Sequence, residues 1–155
     1  MSDPSPERPE RPEPLPRGHF MYFQAITTRW MDNDLDGHVN NVDRYSFFDT
    51  AVNRALIEAG VLDIRGGDVI GLVVHTECRY FECLAFPQTV HAGVAVGRLG
   101  RSSVHCEPGL FADDAPLAAA VGPFAHVYVD RASRRPVPLP AALRAALIPL
   151  SRKPA

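Results

Sequence analysis

Asp32, Asp34 and Asp36 stand at alternate positions in DNDLDGHVNN, which then runs through Gly37 and His38 to the pair Asn40-Asn41. Residues of these types at this spacing suit two chemistries. The first is calcium ligation, since D-x-D-x-D-G opens an EF-hand loop and its twelfth position is again an acid, Asp43. The second is acyl transfer. An acid at a strand end, a glycine turn and a helix start set a carboxylate beside backbone N–H groups that have no helical partner. Those groups can polarise a carbonyl and hold an oxyanion, helped by the helix dipole. The carboxylate can activate water or attack directly. A thioester suits so small a machinery, because its thiolate leaves with little acid assistance. A third reading stays open on the residues alone: a polar connection that only solvates itself and caps a helix.

Calcium fits the surroundings less well. Asp43 is shorter than the glutamate that usually closes such a loop, and no second loop is present to pair with it. The incoming Ile26-Thr27-Thr28 is β-branched and reads as strand, where an EF-hand needs a helix.

The elements that would position these acids follow from the patterning. Phe20 to Trp30 is aromatic and β-branched, a predicted strand. From Val42 the period becomes helical, with Phe47, Phe48, Ala51, Val52, Ala55, Leu56 and Ala59 on one face. Asn40 or Asn41 can cap its start and Gly60 its end. The period then switches to two. Ile70, Leu72, Val74, Cys78 and Tyr80 share one face of a strand, and Val90, Ala92, Val94 and Val96 one face of the next. A tight connection at Leu99-Gly100-Arg101-Ser102 leads into SVHCEPGLF, where Pro108 implies an edge or a bulge. Residues 116–130 read as a long final strand and 141–147 as a short closing helix. Strand, one substantial helix and four strands with short connections make an α+β domain with an antiparallel sheet of about five strands around one long central helix.

At 155 residues the chain is of single-domain size, and it can bury roughly two-thirds of its unfolded surface without metal or disulfide. Residues 1–18, rich in Pro, Glu and Arg, read as a disordered tail, 19–150 as the folded domain and 151–155 as a flexible end. A net charge of −2 with both signs dispersed argues against nucleic acid or an anionic membrane as partner. With no signal-like or membrane-spanning apolar run, the expectation is a cytoplasmic protein. Cys78, Cys83 and Cys106 lack CxxC spacing and read as free thiols. His75, His91, His105 and His126 fall in separate strands without metal-ligand spacing, and read as exposed or hydrogen-bonded strand residues. No metal or cofactor is expected.

TRWMDNDLDGHVNNVDRYSFFDTA, running into NRALIEAG, resembles the signature of the 4-hydroxybenzoyl-CoA thioesterase family, R-W-x-D-x-D-x-x-G-H-V-N-N followed by an aromatic helix start. CRYFECLAFPQTV, VGRLGRSSV and HVYVDRASRRPVPLP are similar to later parts of that family, so the likeness spans nearly all of the chain after the tail. The resemblance implies the hotdog fold and hydrolysis of acyl-CoA thioesters. It carries the catalytic carboxylate over to Asp34, as general base or nucleophile, and places the carbonyl-polarising helix start near Asn41. His38 and Asn40 would shape the turn or touch substrate, Asp32 would be a structural acid, and Asp49 matches an acidic helix position. Hotdog domains pair, so a homodimer or homotetramer is implied, with sites at the subunit interface. Arg101 and Ser102 are then candidates for the CoA phosphates, with Arg79 and Arg98 behind them.

Asp43-Arg44 departs from the family, which often has apolar or aromatic residues there. Arg44 could pair with Asp34, read an acidic acyl group, or point to solvent while Asp43 favours the helix N-terminus; the last is expected. A hotdog hydratase would need D-x-N-P-x-H, whereas Asp34 and His38 are four apart with no proline between. A non-catalytic acyl-CoA or acyl-carrier binding protein is the alternative from a different class.

Overall fold

The computed structural model describes residues 13–62 and 67–151, so the expectations for most of the Pro-rich tail and for the last four residues lie outside the described residues. Leu15, Pro16 and Arg17 are already fastened to the domain: Leu15 accepts from the Ala118 amide, Pro16 bridges Leu117, and the Arg17 Nε donates to the Ala115 carbonyl at 2.7 Å.

The fold is mixed α+β with antiparallel sheets. Among the described residues nine strands appear in chain order: β1 (Tyr22–Thr27), β2 (Val69–Thr76), β3 (Arg79–Tyr80), β4 (Thr89–Val94), β5 (Val96–Leu99), β6 (Ser103–Cys106), β7 (Gly109–Ala112), β8 (Ala120–Val121) and β9 (Phe124–Asp130). Helix α1 (Asn41–Glu58) follows β1, and the short α2 (Ala141–Leu147) closes the domain. One sheet has the order β1-β4-β7-β8-β3, the other β2-β9-β6-β5. The two orders run in step. β2 with β3, β4 with β5, β6 with β7 and β8 with β9 are four chain segments, each bent where it passes from one sheet to the other.

The bends fall in a row, at Glu77-Cys78, Ala95, Glu107-Pro108 and Gly122-Pro123. Backbone hydrogen bonds continue along that row: Glu77 N–H to Pro123 O at 3.1 Å, Gly122 N–H to Pro108 O at 2.8 Å and Glu107 N–H to Ala95 O at 2.7 Å. The pairing therefore carries through the corner, and the corner chemistry is legible in its residues. Proline has no N–H to give a ladder, and glycine leaves room. A Cβ on Gly122 would come within 2.5 Å of the Phe48 ring, so the corner is open on its inner side to receive the helix.

Three expectations about strands are corrected here. The first strand is shorter than Phe20–Trp30: it ends at Thr27, and Trp30–Asp32 forms a 3-10 turn. The long final strand over 116–130 is instead β8 and β9, separated by Gly122-Pro123 and paired in different sheets. In β2 a bulge at Val74, between the paired Val73 and His75, resets the alternation, so Val74 is exposed and does not share the Ile70 face.

Helix α1 buries Phe47, Phe48, Ala51, Val52, Ala55 and Leu56 as its period predicts, against β4, β1 and β7. Ala59, expected on that face, is exposed at the C-cap. Gly60 takes φ +73°, the left-handed conformation that ends a helix without a Cβ clash. Among the described residues no helix is long and apolar enough to cross a membrane.

Candidate active site

The acidic stretch folds as a closed turn between the first strand and α1. Asn33 and Val39 bridge across it, the Asp34 amide donates to the His38 carbonyl at 2.8 Å, and Gly37 supplies φ +79° at its tip. The Asp34 Oδ1 accepts from the amides of Asp36 at 2.8 Å and His38 at 3.3 Å. Among the described residues no hydrogen bond reaches its Oδ2, and the side chain lies at the wall of an open cleft of about 650 Å³.

Asn40 caps α1, its Oδ1 accepting from the Val42 amide at 3.0 Å. That cap leaves the Asn41 amide, one residue earlier, at the mouth of the helix. The near wall of the cleft is Asp34, His38, Val39, Asn40, Asn41 and Arg44, and the far wall is Tyr80, Phe81, Glu82 and Cys83. Two bonds hold the walls together: Val39 N–H to Leu84 O at 2.7 Å and Phe86 N–H to Asn33 Oδ1 at 3.0 Å. The Tyr80 hydroxyl also donates to the Asn41 side-chain oxygen. Burial, followed by its contact with Cys78, pushes that phenol up to about 12, so it is a neutral donor at working pH.

The three acids do not converge on a common point. Asp32 is 1 % exposed and turned inward, accepting from the Arg29 backbone amide at 2.7 Å and from the Arg29 guanidinium at 2.8 and 3.1 Å. Burial alone would raise its carboxyl, but the bonds and charge of Arg29 outweigh it and hold Asp32 below the ordinary range. Asp32 thus anchors the turn and leaves Asp34 as the acid of the near wall, with Glu82 on the far wall. Asp32→Ala should cost about 1–3 kcal/mol in urea unfolding, because the part-buried Arg29 amide and the Arg29 guanidinium lose a charged acceptor. A variant as stable as wild type would show that the turn does not depend on this carboxylate.

Arg44 does not point to solvent. It is 6 % exposed, its Nε donates to the Val39 carbonyl at 3.3 Å, and its Cζ lies 4.8 Å from the centre of the Tyr80 ring. The spacing explains this: Phe47, Phe48 and Ala51 lie three, four and seven residues after Arg44, so the guanidinium shares the inward face of α1. It forms no ion pair among the described residues, with Asp34 or any other acid.

Arg101 and Ser102 do not line this cleft within the chain. They sit at the β5–β6 turn, where Arg101 accepts from the Leu139 amide and Ser102 from the Tyr128 amide. Arg79 is paired with Glu77 at 3.4 Å, and Arg98 also lies outside the cleft. Sequence reasoning missed Tyr80, Phe81, Glu82 and Cys83, which reach the turn only because β3 pairs with β8.

The chain's only tryptophan, Trp30, stands at the outer side of the same turn, 76 % exposed, its ring edge-on to Phe86 at 6.1 Å. Met31 and Leu35 are exposed beside it.

The thioesterase-like superfamily model matches residues 28–147, which takes in the turn, α1 and all of the strands after it. The chain belongs to that superfamily. As a member it is a thioester hydrolase by family, and its solved relatives agree. The PA5185 protein of Pseudomonas aeruginosa is 52 % identical with a TM-score of 0.89, the match covering 92 % of this chain and 100 % of that one. A Thermus thermophilus thioesterase complexed with coenzyme A and zinc is 29 % identical with a TM-score of 0.72, covering 88 % of this chain and 98 % of that one. A 1,4-dihydroxy-2-naphthoyl-CoA thioesterase of Synechocystis shares the fold at a TM-score of 0.75 and 16 % identity, covering 82 % of this chain and 95 % of that one. No curated protein sequence matches this superfamily member.

A second cavity of about 450 Å³ lies between α1, β2, β9 and α2, with Asp49 and His126 in its wall. His126 is a buried residue of β9, so of the two expectations, exposed or hydrogen-bonded, the exposed one is set aside. Burial holds its imidazole below the ordinary 6.5, and the Asp49 charge opposes that only in part. The unfolded chain takes up a proton near pH 6.5 where the folded one does not, so this residue removes stability as pH falls through that value. His126→Phe should therefore lose less melting temperature than wild type between about pH 7.5 and about pH 5.5. Equal slopes in the two proteins would refute the assignment.

Proposed function

We propose that the protein hydrolyses acyl-CoA thioesters in the cleft between the 33–39 turn and β3, with Asp34 as the general base or nucleophile. The observation that carries this reading is the pairing of one free carboxylate oxygen with an uncapped helix-start amide on the same cleft wall. As base, Asp34 takes a proton from water as the water oxygen bonds to the thioester carbon. The Asn41 amide holds the resulting oxyanion, and collapse breaks the C–S bond and releases the CoA thiolate, which takes up a proton. As nucleophile, Asp34 itself bonds to that carbon, expels the thiolate and is freed when water cleaves the anhydride.

The bent sheet with α1 on the inner side of its corner supports a hotdog reading of the fold. An exposed edge strand supports pairing of two copies: β2 ends one sheet, and its Val73 and Val74 are 49 % and 60 % exposed. In such a homodimer, or a homotetramer built from it, Arg101 and Ser102 would serve the partner's site as contacts for the CoA phosphates, while His38 and Asn40 shape the turn. The test is thiol release from short, long, aromatic and dicarboxylic acyl-CoAs by wild type and Asp34→Asn. Release that collapses in the variant supports the reading. Acyl-CoA binding without release from any of them would favour a non-catalytic thioester-binding role.

A further inference from the structure

Resting on that reading of the cleft, we infer that Arg44 selects the acyl group: the preferred substrates carry a carboxylate at the far end of a short acyl chain, as in the monothioesters of dicarboxylic acids. Arg44 is 6 % exposed, yet one of its terminal nitrogens, Nη1, is buried with no hydrogen-bond partner. Among the described residues only its Nε finds an acceptor, the Val39 carbonyl, and the Tyr80 ring covers one face of the guanidinium. No described carboxylate pairs with it.

Burying a guanidinium without a partner for its N–H groups is costly. The Tyr80 face offsets part of that cost, but a ring supplies no acceptor for the N–H groups. The unfilled donors lie on the inward face of the first turn of α1, where the helix dipole also favours an anion. Arg44 lines the same cleft as Asp34, so a ligand group that fills it belongs to the substrate being cleaved.

An oxyanion in that place could come from the acyl group or from a CoA phosphate. The phosphates are separated from the thioester by the whole pantetheine arm, whereas Arg44 and Asp34 share one cleft. The acyl end is therefore the source that fits. A guanidinium takes a carboxylate through two parallel N–H bonds, an arrangement that an uncharged acyl chain cannot satisfy.

Thiol release would be followed with succinyl- and glutaryl-CoA against butyryl- and valeryl-CoA, which match them in carbon count. Wild type should favour the dicarboxylic member of each pair. Arg44→Met should lower that ratio of kcat/KM by about a hundredfold, with Arg44→Lys between the two. A ratio unchanged in Arg44→Met, or a wild type that prefers the uncharged member, overturns the inference while Asp34-dependent release leaves the thioesterase reading standing. Free CoA should inhibit wild type and Arg44→Met alike; weaker inhibition of the variant by CoA would move Arg44 to the phosphates and also overturn the inference. If no thioester is cleaved, the thioesterase reading falls, and melting shifts decide on Arg44. Glutarate stabilising wild type more than valerate does, and Arg44→Met by neither, supports the carboxylate site; equal shifts overturn it. Should Arg44→Met not fold, Arg44→Lys takes its place in each comparison.

Discussion

Asp34→Asn is expected to lower kcat for thioester hydrolysis by about 10²–10⁴-fold while the protein stays folded. The two halves of that expectation come from the two oxygens of the carboxylate. Oδ1 accepts the amides of Asp36 and His38 and so holds the turn, a task an asparagine carbonyl can also perform. Oδ2 has no hydrogen-bond partner among the described residues, and the substitution puts at the cleft wall a group that neither accepts a water proton nor attacks carbon. The replacement is exposed, so it adds no buried unpaired group. Neighbouring Asp32 offers no substitute, since it is buried and spent on Arg29. Single-turnover hydrolysis in labelled water would then test the covalent role: label in the Asp34 carboxyl, from water attacking the Asp34 side of the anhydride, marks the nucleophile. Activity of Asp34→Asn within tenfold of wild type would move the catalytic group elsewhere.

Phe48→Ala should cost about 3–5 kcal/mol, a large part of the roughly 5–15 kcal/mol that holds a domain of this kind together. Phe48 is fully buried, edge-on to Phe124 at 5.8 Å and to Tyr45 at 6.2 Å. Its ring fills the space left by Gly122 at the sheet corner, so no neighbouring side chain stands ready to close the hole. The melting temperature should fall by roughly 10 °C, read by calorimetry. A fall of only a few degrees would mean that the corner collapses onto the cavity at little cost. Phe48 lies one turn beyond Arg44, so the same truncation loosens the support of the cleft wall.

The parts of this molecule that could be read from sequence are those fixed by neighbours in the chain. The boundaries of α1 follow from the Asn40 cap and the Gly60 stop, and the tight turn from Gly37. The structural place of Asp32 could be expected from the family motif, and its bonds to Arg29 agree with it. Strand breaks were harder, because a bend at Gly122-Pro123 is a property of the whole corner and the apolar run on either side continues unbroken. Tyr80 to Cys83 could not be assigned to the site, since their approach to Asp34 depends on pairing across the sheet. Arg44 is the instructive error. Its type suggested water, while its spacing of three, four and seven residues to Phe47, Phe48 and Ala51 had already placed it on the inward face.

Trp30 gives this protein a built-in optical reporter. A solitary indole that is mostly in water emits at long wavelength, and anything that lays apolar surface over the 30–35 edge of the turn shifts that emission to the blue. Every photon from tryptophan in this chain originates within a few residues of Asp34. Titration of the unlabelled protein with an acyl-CoA should thus give a spectroscopic signal from the turn itself, with Trp30→Phe as its dark control.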